Sequence, residues 1–532
     1  MPGGAGAAGA SACRAESRGT GVVALVAACG LFLAVAAPAR AAEPAPTPSE
    51  AAAALDVAAE AFVPEPGEPP DREATAALAQ LADALPALDG LARRKARALL
   101  ARPTDGNADQ LGDGYAPPGP VKSAPSGPGH FCVFWVDNAS NRDAPSLADA
   151  NGVADGDGVP DYVENIHAIA ELSYGVEVGA LDWAPPKPDN EDDCSPNPPG
   201  HQVDIYLKQL GNQRLFGYEA SDPDPGNQGR SRYGYMVIDN DYSADEYSGY
   251  VDPLDPARVT VAHEFNHLLH VFYNSLQDLW MFETTAVWME EQVFPEVDDY
   301  VHYVPHFARI PGTPITDARG GGGLKIYGSA VWNHWLADRY GVDVVRRAWE
   351  VSDATHPRDF TIAAFDEAIA DRGGRSFSSE FVRFAAATAE WRTGHGGFPD
   401  TDQYPDVRRK GTLRRGAGRP KKLKLDHTAY RLFNVKRRQA RRITLRMRAE
   451  RGVRCGLALV ARKGSETGGD VVSKVDFLRR GGSASVSLRR PRRFDRVTAV
   501  VVNADGRVDG FAEDDWDYVR DRSDFRARVA RR

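Results

Sequence analysis

The chain has 532 residues, is 42% hydrophobic and carries a formal net charge of −10. That length accommodates several domains and a sizeable core, and the apolar share is that of an ordinary globular protein, not of a bundle of membrane spans. The charge is unevenly divided: residues 406–532 hold 36 basic against 15 acidic side chains, which leaves −31 on residues 1–405.

The chain opens with Arg14 and Arg18 ahead of an almost wholly apolar run, Gly21 to Ala37, closed by Ala39-Arg40-Ala41. A charged start, a short apolar run and a small-residue end predict a signal peptide over 1–41 and a secreted mature chain. The run is shorter and richer in alanine than a membrane span, and no later segment is long enough to be one, so no transmembrane segment is expected after cleavage. A rival reading takes Cys29, after Val26-Ala27-Ala28, as a lipid-attachment cysteine, but the apolar run continues past it. Residues 42–129 are Ala/Pro-rich. Their composition predicts disorder from Ala42 to about Pro70, then a helix over Asp71–Arg102, where Leu78, Leu81, Leu85, Leu88 and Leu91 recur every three to four residues. Such a piece fits a propeptide and fits a spacer nearly as well.

A core over 130–400 begins with a buried-strand pattern at His130–Val136, with further strands expected at Gln202–Leu207 and Tyr233–Asp239. Export permits disulfides. Cys132 and Cys194 share this predicted domain and are the candidate pair, with Cys455 left over; three unpaired buried cysteines are the alternative. Between the first two strands, Asn151 to Glu164 has EF-hand-like spacing. With Val153 in first position, Asp155, Asp157, Asp161 and Glu164 take positions three, five, nine and twelve, and Gly158 takes six. These oxygens suit Ca²⁺, although valine replaces the usual first aspartate. An Asp/Gly turn capping a helix from Tyr162 is the simpler alternative.

Residues 263–267 read His-Glu-Phe-Asn-His. On a helix, positions i and i+4 lie on one face, so His263 and His267 can grip one Zn²⁺, and Glu264 beside them can take a proton from water held there. Val261, Phe265, Leu268 and Phe272 form an apolar stripe nearly opposite, so the helix should bury its back and turn its histidines toward a cleft. A helix with solvated histidines would give the same pattern. His270 falls on the histidine side, too far along to share the ion with His263, and reads as a rim residue. Catalytic zinc sites keep three protein ligands. Trp280 to Glu290 supplies the third if it forms a second helix packed antiparallel on the first: Glu283 as ligand, and Glu290, two turns on, orienting an imidazole. A solvated amphipathic helix is the plainer reading of both.

His-Glu-x-x-His followed by Glu-x-x-Ala-x-Trp-Met-Glu resembles the gluzincin metallopeptidases, including the aminopeptidase N type. It also resembles secreted bacterial metalloproteases that read His-Glu-Phe-x-His and then Glu-x-Thr-Ala-x-Trp-Met-Glu. The resemblance spans about residues 130–345. It implies zinc held by His263, His267 and Glu283, with Glu264 as base. The spacing departs from the family: only 15 residues separate His267 from Glu283. The resemblance also implies an oxyanion-stabilising tyrosine, matched by Tyr327 in Lys325–Ala330, and an edge strand that pairs with substrate, matched by Gly234–Asn240.

Residues 401–425 read as a linker. After it, short alternating runs at Tyr430–Val435, Arg442–Arg448, Cys455–Ala461, Ala484–Leu488 and Val497–Asn503 predict a β-sandwich over 426–532. Its arginines alternate as on a solvated sheet face. Envelope or glycan contact is open to them, but no nucleic-acid signature accompanies them. The expected fold class is therefore α+β: a gluzincin-like metallopeptidase domain, with a twisted sheet plus the helices carrying the histidines, followed by a β-sandwich. The expected function is a secreted zinc-dependent endopeptidase, braced by Ca²⁺ and acting on protein or peptide substrates. Two rivals stand beside it: a non-catalytic exported calcium-binding envelope or adhesion protein with a structural metal site, and a hydrolase of a non-peptide bond.

Overall fold

Strands form where β-branched and aromatic residues alternate between two apolar layers. The computed structural model describes residues 46–63, 74–105, 114–117, 119–145, 158–189, 194, 202–227, 229–317, 324–353, 361–414, 420–436, 440–450, 452–478, 482–506 and 523–530. The fold is α+β. The expected signal peptide over 1–41 lies outside the described residues, as do Asp155 and Asp157.

Among the described residues three helices come first: α1 (Pro48–Ala61), α2 (Thr75–Ala84) and α3 (Gly90–Leu99). The expectation of disorder up to Pro70 fails over α1. Its alanine run has the highest helix propensity, and Thr47 with Glu50 closes a capping box at its start. The helices cover one face of a five-stranded mixed sheet made of β1 (Val121–Pro125), β2 (Phe131–Val136), β3 (Val203–Lys208), β4 (Gly217–Ser221) and β5 (Gly234–Asp239). The strand order is β1-β2-β3-β5-β4, with β2, β3 and β5 parallel and the two outer strands antiparallel to their neighbours. The strand period of two sorts the side chains. Tyr206, Tyr218, Ala220, Tyr235 and Val237 meet α1–α3, while Phe131, Val133, Ile205, Leu207, Met236 and Ile238 face the main helical core.

This order corrects one expectation. Gly234–Asn240 does not supply an edge: β5 runs between β3 and β4, and the edge strands of the described sheet are β1 and β4. The sequence Gly-Tyr-Glu-Ala-Ser has too few apolar residues to announce that strand. The structure joins Cys132 on β2 to Cys194 in a disulfide, with Cα atoms 5.6 Å apart. Cys455 is free and buried, and burial pushes its thiol up to about 12.

The main core is built on α4 (Asp161–Tyr174), α5 (Asp255–Asn274), α6 (Leu279–Val293), α7 (Val304–Arg309), α8 (Lys325–Gly328), α9 (Val331–Tyr340), α10 (Asp343–Val351), α11 (Thr361–Asp371) and α12 (Phe377–Ala387). Among the described residues, no helix is long and apolar enough to cross a membrane.

Among the described residues nine strands follow: β6 (Arg409–Arg414), β7 (Lys421–Leu425), β8 (Ala429–Lys436), β9 (Arg442–Ala449), β10 (Cys455–Lys463), β11 (Asp470–Phe477), β12 (Ser483–Arg489), β13 (Arg496–Asn503) and β14 (Ser523–Ala530). They make a sheet of order β11-β10-β13-β8-β6 and another of order β12-β9-β14-β7. Phe433, Leu457, Leu459 and Val501 of the first share a core with Ile443, Leu445, Met447 and Phe525 of the second. The inner strands β8, β10 and β13 of the first sheet are buried on both faces, because Leu432, Ala458, Val460, Val500 and Val502 join the helical core that includes Phe381 and Phe384 of α12. The stretch 401–425, expected as a linker, therefore carries two strands, β6 and β7. Its apolar residues Leu413, Leu423 and Leu425 alternate with lysine and arginine, and that polarity disguised them.

A candidate metal centre

The centre stands on α5 and α6. Pro256, in the first turn of α5, needs no amide partner there. The helix then runs unbroken to Asn274. Asp278 caps α6 by accepting from the amide of Trp280 at 2.9 Å. Only Ser275 to Asp278 separates the two helices, so they pack as an antiparallel pair. That tight turn lets the short spacing between His267 and Glu283 work.

His263, His267 and Glu283 each offer one ligand atom, all within 4.8 Å of one another and all buried. Oε2 of Glu283 lies 3.6 Å from Nε2 of His263 and 3.8 Å from Nε2 of His267. The outer nitrogens are held too. Nδ1 of His263 is 2.7 Å from Oε1 of Glu290, and Nδ1 of His267 is 3.2 Å from Nδ1 of His270. A histidine that presents a lone pair at Nε2 carries its proton on Nδ1; in that tautomer His263 would donate to Glu290 and His267 to His270. Two imidazoles and one carboxylate converging on a buried point are a donor set that suits zinc.

The rest of the neighbourhood was not legible in the sequence. His270 is no rim residue: it is fully buried, its ring stacked on Trp349 at 4.0 Å with 7° between the planes. Asn266 donates to Oε2 of Glu177 at 2.8 Å. Glu177 lies in a π-helical turn, Gly175–Ala180, that follows α4. Burial pushes its carboxyl well above the usual carboxylate range, against the opposing pull of Asn266 and His263. Nothing local in Gly-Val-Glu-Val-Gly-Ala signals this position.

Glu264 turns toward β4. Gly217 permits the close approach, since a Cβ there would meet Cγ2 of Thr260 at 2.7 Å and Cγ of Glu264 at 3.2 Å. Oε2 of Glu264 accepts from the hydroxyl of Thr75, the first residue of α2, at 2.9 Å. The same oxygen of Thr75 accepts from the amide of Glu219 on β4 at 2.8 Å. Contrary to the expected open cleft, the histidine face of α5 is covered: His263 and Glu264 are 2% and 1% exposed, and His267 is 0% exposed.

Tyr327 is buried on α8, which packs against α6, and its ring lies 5.3 Å from that of Tyr303. Of the calcium candidates, Asp161 is buried and Glu164 exposed in the first turn of α4; Asp155 and Asp157 lie outside the described residues.

A family model described as a family of unknown function, DUF6055, matches residues 250–398, a stretch that contains both helices of the centre. No curated protein matches the chain.

Proposed function

We propose that this chain is a secreted zinc-dependent endopeptidase of gluzincin type. The single observation that carries the reading is the convergence of Nε2 of His263, Nε2 of His267 and Oε2 of Glu283 on one buried point, with Glu264 one residue along from the first ligand. Zinc bound there would polarise a scissile carbonyl and acidify water. Glu264 takes the proton of the attacking water and returns it to the leaving amine. Glu290 and His270 fix the two imidazoles in the tautomer that leaves Nε2 available. Tyr327 is the residue proposed to donate to the oxyanion. Ca²⁺ held through Asp155, Asp157, Asp161 and Glu164 would brace the start of α4, and the paired C-terminal sheets serve as a β-sandwich accessory module open to envelope or glycan contact.

One observation favours the rival, a non-catalytic exported binding protein: the proposed base is already engaged by Thr75 within its own chain. Metal analysis and casein digestion separate the two readings. Wild type and Glu264→Gln should each bind one equivalent of zinc, and His263→Ala should bind none. Hydrolysis should vanish with a chelator and in Glu264→Gln. A wild-type chain that takes up no zinc, or a Glu264→Gln chain that hydrolyses casein, ends the peptidase reading.

A further inference from the structure

The hydroxyl of Thr75 holds two groups that peptide hydrolysis at this centre needs free. One is the carboxylate of Glu264. The other is the amide of Glu219. In β4 the even-numbered residues bond inward to β5, since the amide of Asp222 donates to Tyr233 and that of Asp239 donates to the carbonyl of Phe216. The amide of Glu219 therefore faces the open edge of the sheet, where an extended peptide would have to pair. Thr75 also begins α2, so the positive end of that helix sits at the proposed base.

From Thr75, α2 runs along β4 and past the turn between α5 and α6. Ala76, Ala79 and Asp83 of α2 face Gln277, Leu279 and Phe282 across a small cavity, and Phe282 is the neighbour of Glu283. Three anchors keep the helix there. Leu78 and Leu81 are fully buried against the sheet. Asp83 accepts from Nη2 of Arg232 at 3.1 Å. Beyond α3, Arg102 is 3% exposed and bonds Asp189, Asp204 and Asp222 at 2.8, 2.5 and 2.9 Å.

We propose that α2 is a built-in inhibitor of the zinc centre: it fills the peptide-binding edge of β4 and engages Glu264 through Thr75, so the chain is latent until α2 lifts. This rests on the peptidase reading for its biological sense. The occlusion itself can be read without turnover.

The experiment uses the full zinc-loaded chain and a peptidyl hydroxamate as probe. Its dissociation constant is measured for wild type, for Thr75→Val and for Leu78→Asp/Leu81→Asp. Removing one hydrogen bond to a charged group should tighten hydroxamate binding about tenfold in Thr75→Val. The double variant should tighten it further, and a peptide with the sequence of residues 46–105 should reverse the gain. If the double variant loses its cooperative melt, Thr75→Val decides alone. Equal hydroxamate affinity in wild type and in every folded variant overturns the proposal. Tighter binding with no casein hydrolysis by any form keeps α2 as a lid and removes the peptidase. Hydrolysis by wild type as fast as by the variants keeps the peptidase and removes the lid. Zinc bound by no form removes both.

Discussion

The N-terminal helices and the C-terminal sheets flank the same core, and each lends arginines to core carboxylates, in opposite proportions. On the N-terminal side one cation, Arg102, meets three core carboxylates. On the C-terminal side one core carboxylate, Glu390 in the turn after α12, gathers Arg462 at 3.1 Å, Arg496 at 2.7 Å and Arg409 at 3.9 Å. The uneven charge of the sequence is thus partly spent on internal pairing, and those three arginines are not on a solvated face. The flanks differ in what they reach. The N-terminal helices carry a side chain onto Glu264, whereas the C-terminal sheets meet α12 through Ala458, Val460 and Val500. One flank touches the candidate metal centre, and the other extends the core.

The largest expected effect is that of Arg102→Met. It strands three aspartates around a vanished cation, and breaking a buried charge cluster of this kind costs about 3–5 kcal/mol. Thermal melting should register the loss, and hydrogen exchange should quicken in α1–α3 while β8, β10 and β13 keep their protection. Equal quickening in both flanks breaks the comparison. Glu390→Gln should cost less, about 2–3 kcal/mol, because Asp406 still holds Arg496 at 2.9 Å. Zinc stoichiometry should not change in that variant; a lost equivalent would tie the C-terminal flank to the centre.

Acid should have the smallest effect. Burial pushes the ring of His427, between β7 and β8, down to about 4. In the unfolded chain the ring takes a proton near pH 6.5, which the folded chain refuses until about pH 4. The contribution of His427 to stability is therefore complete above pH 6.5 and is lost as pH falls through that window, reaching roughly 2 kcal/mol by pH 5. His334, in the core, is pushed down to about 3 for the same reason and should behave alike to a lower pH. His427→Gln should flatten part of the decline in melting temperature between pH 6.5 and 5. Parallel curves for variant and wild type would clear His427 as a cause.

The helix pair was legible because its signals are local. His263 and His267 are one turn apart, Glu283 and Glu290 share a face, and a short loop forces the two helices together. The strands with continuous apolar runs, β2, β3 and β5, were equally plain. What escaped was either weakly patterned or distant in sequence. The strands β4, β6 and β7 hide their apolar positions among glycine, lysine and arginine. Thr75 lies 189 residues from the carboxylate it engages, and no periodicity reports such a meeting. The sequence places His270 on the correct face, but its stacking partner Trp349 comes from α10, so local pattern alone makes the side chain look peripheral.

The burial of His263 and His267 beneath the assembled fold would also order events if the centre takes up zinc. An ion that arrived early would find its ligands before the N-terminal helices dock, whereas one that arrived late would wait for a local opening. Chains stripped by a chelator should accordingly refill at a rate that does not rise with zinc concentration, and Thr75→Val should refill faster than wild type. A refilling rate that grows in proportion to the metal supplied would mean the entrance stands open from the start.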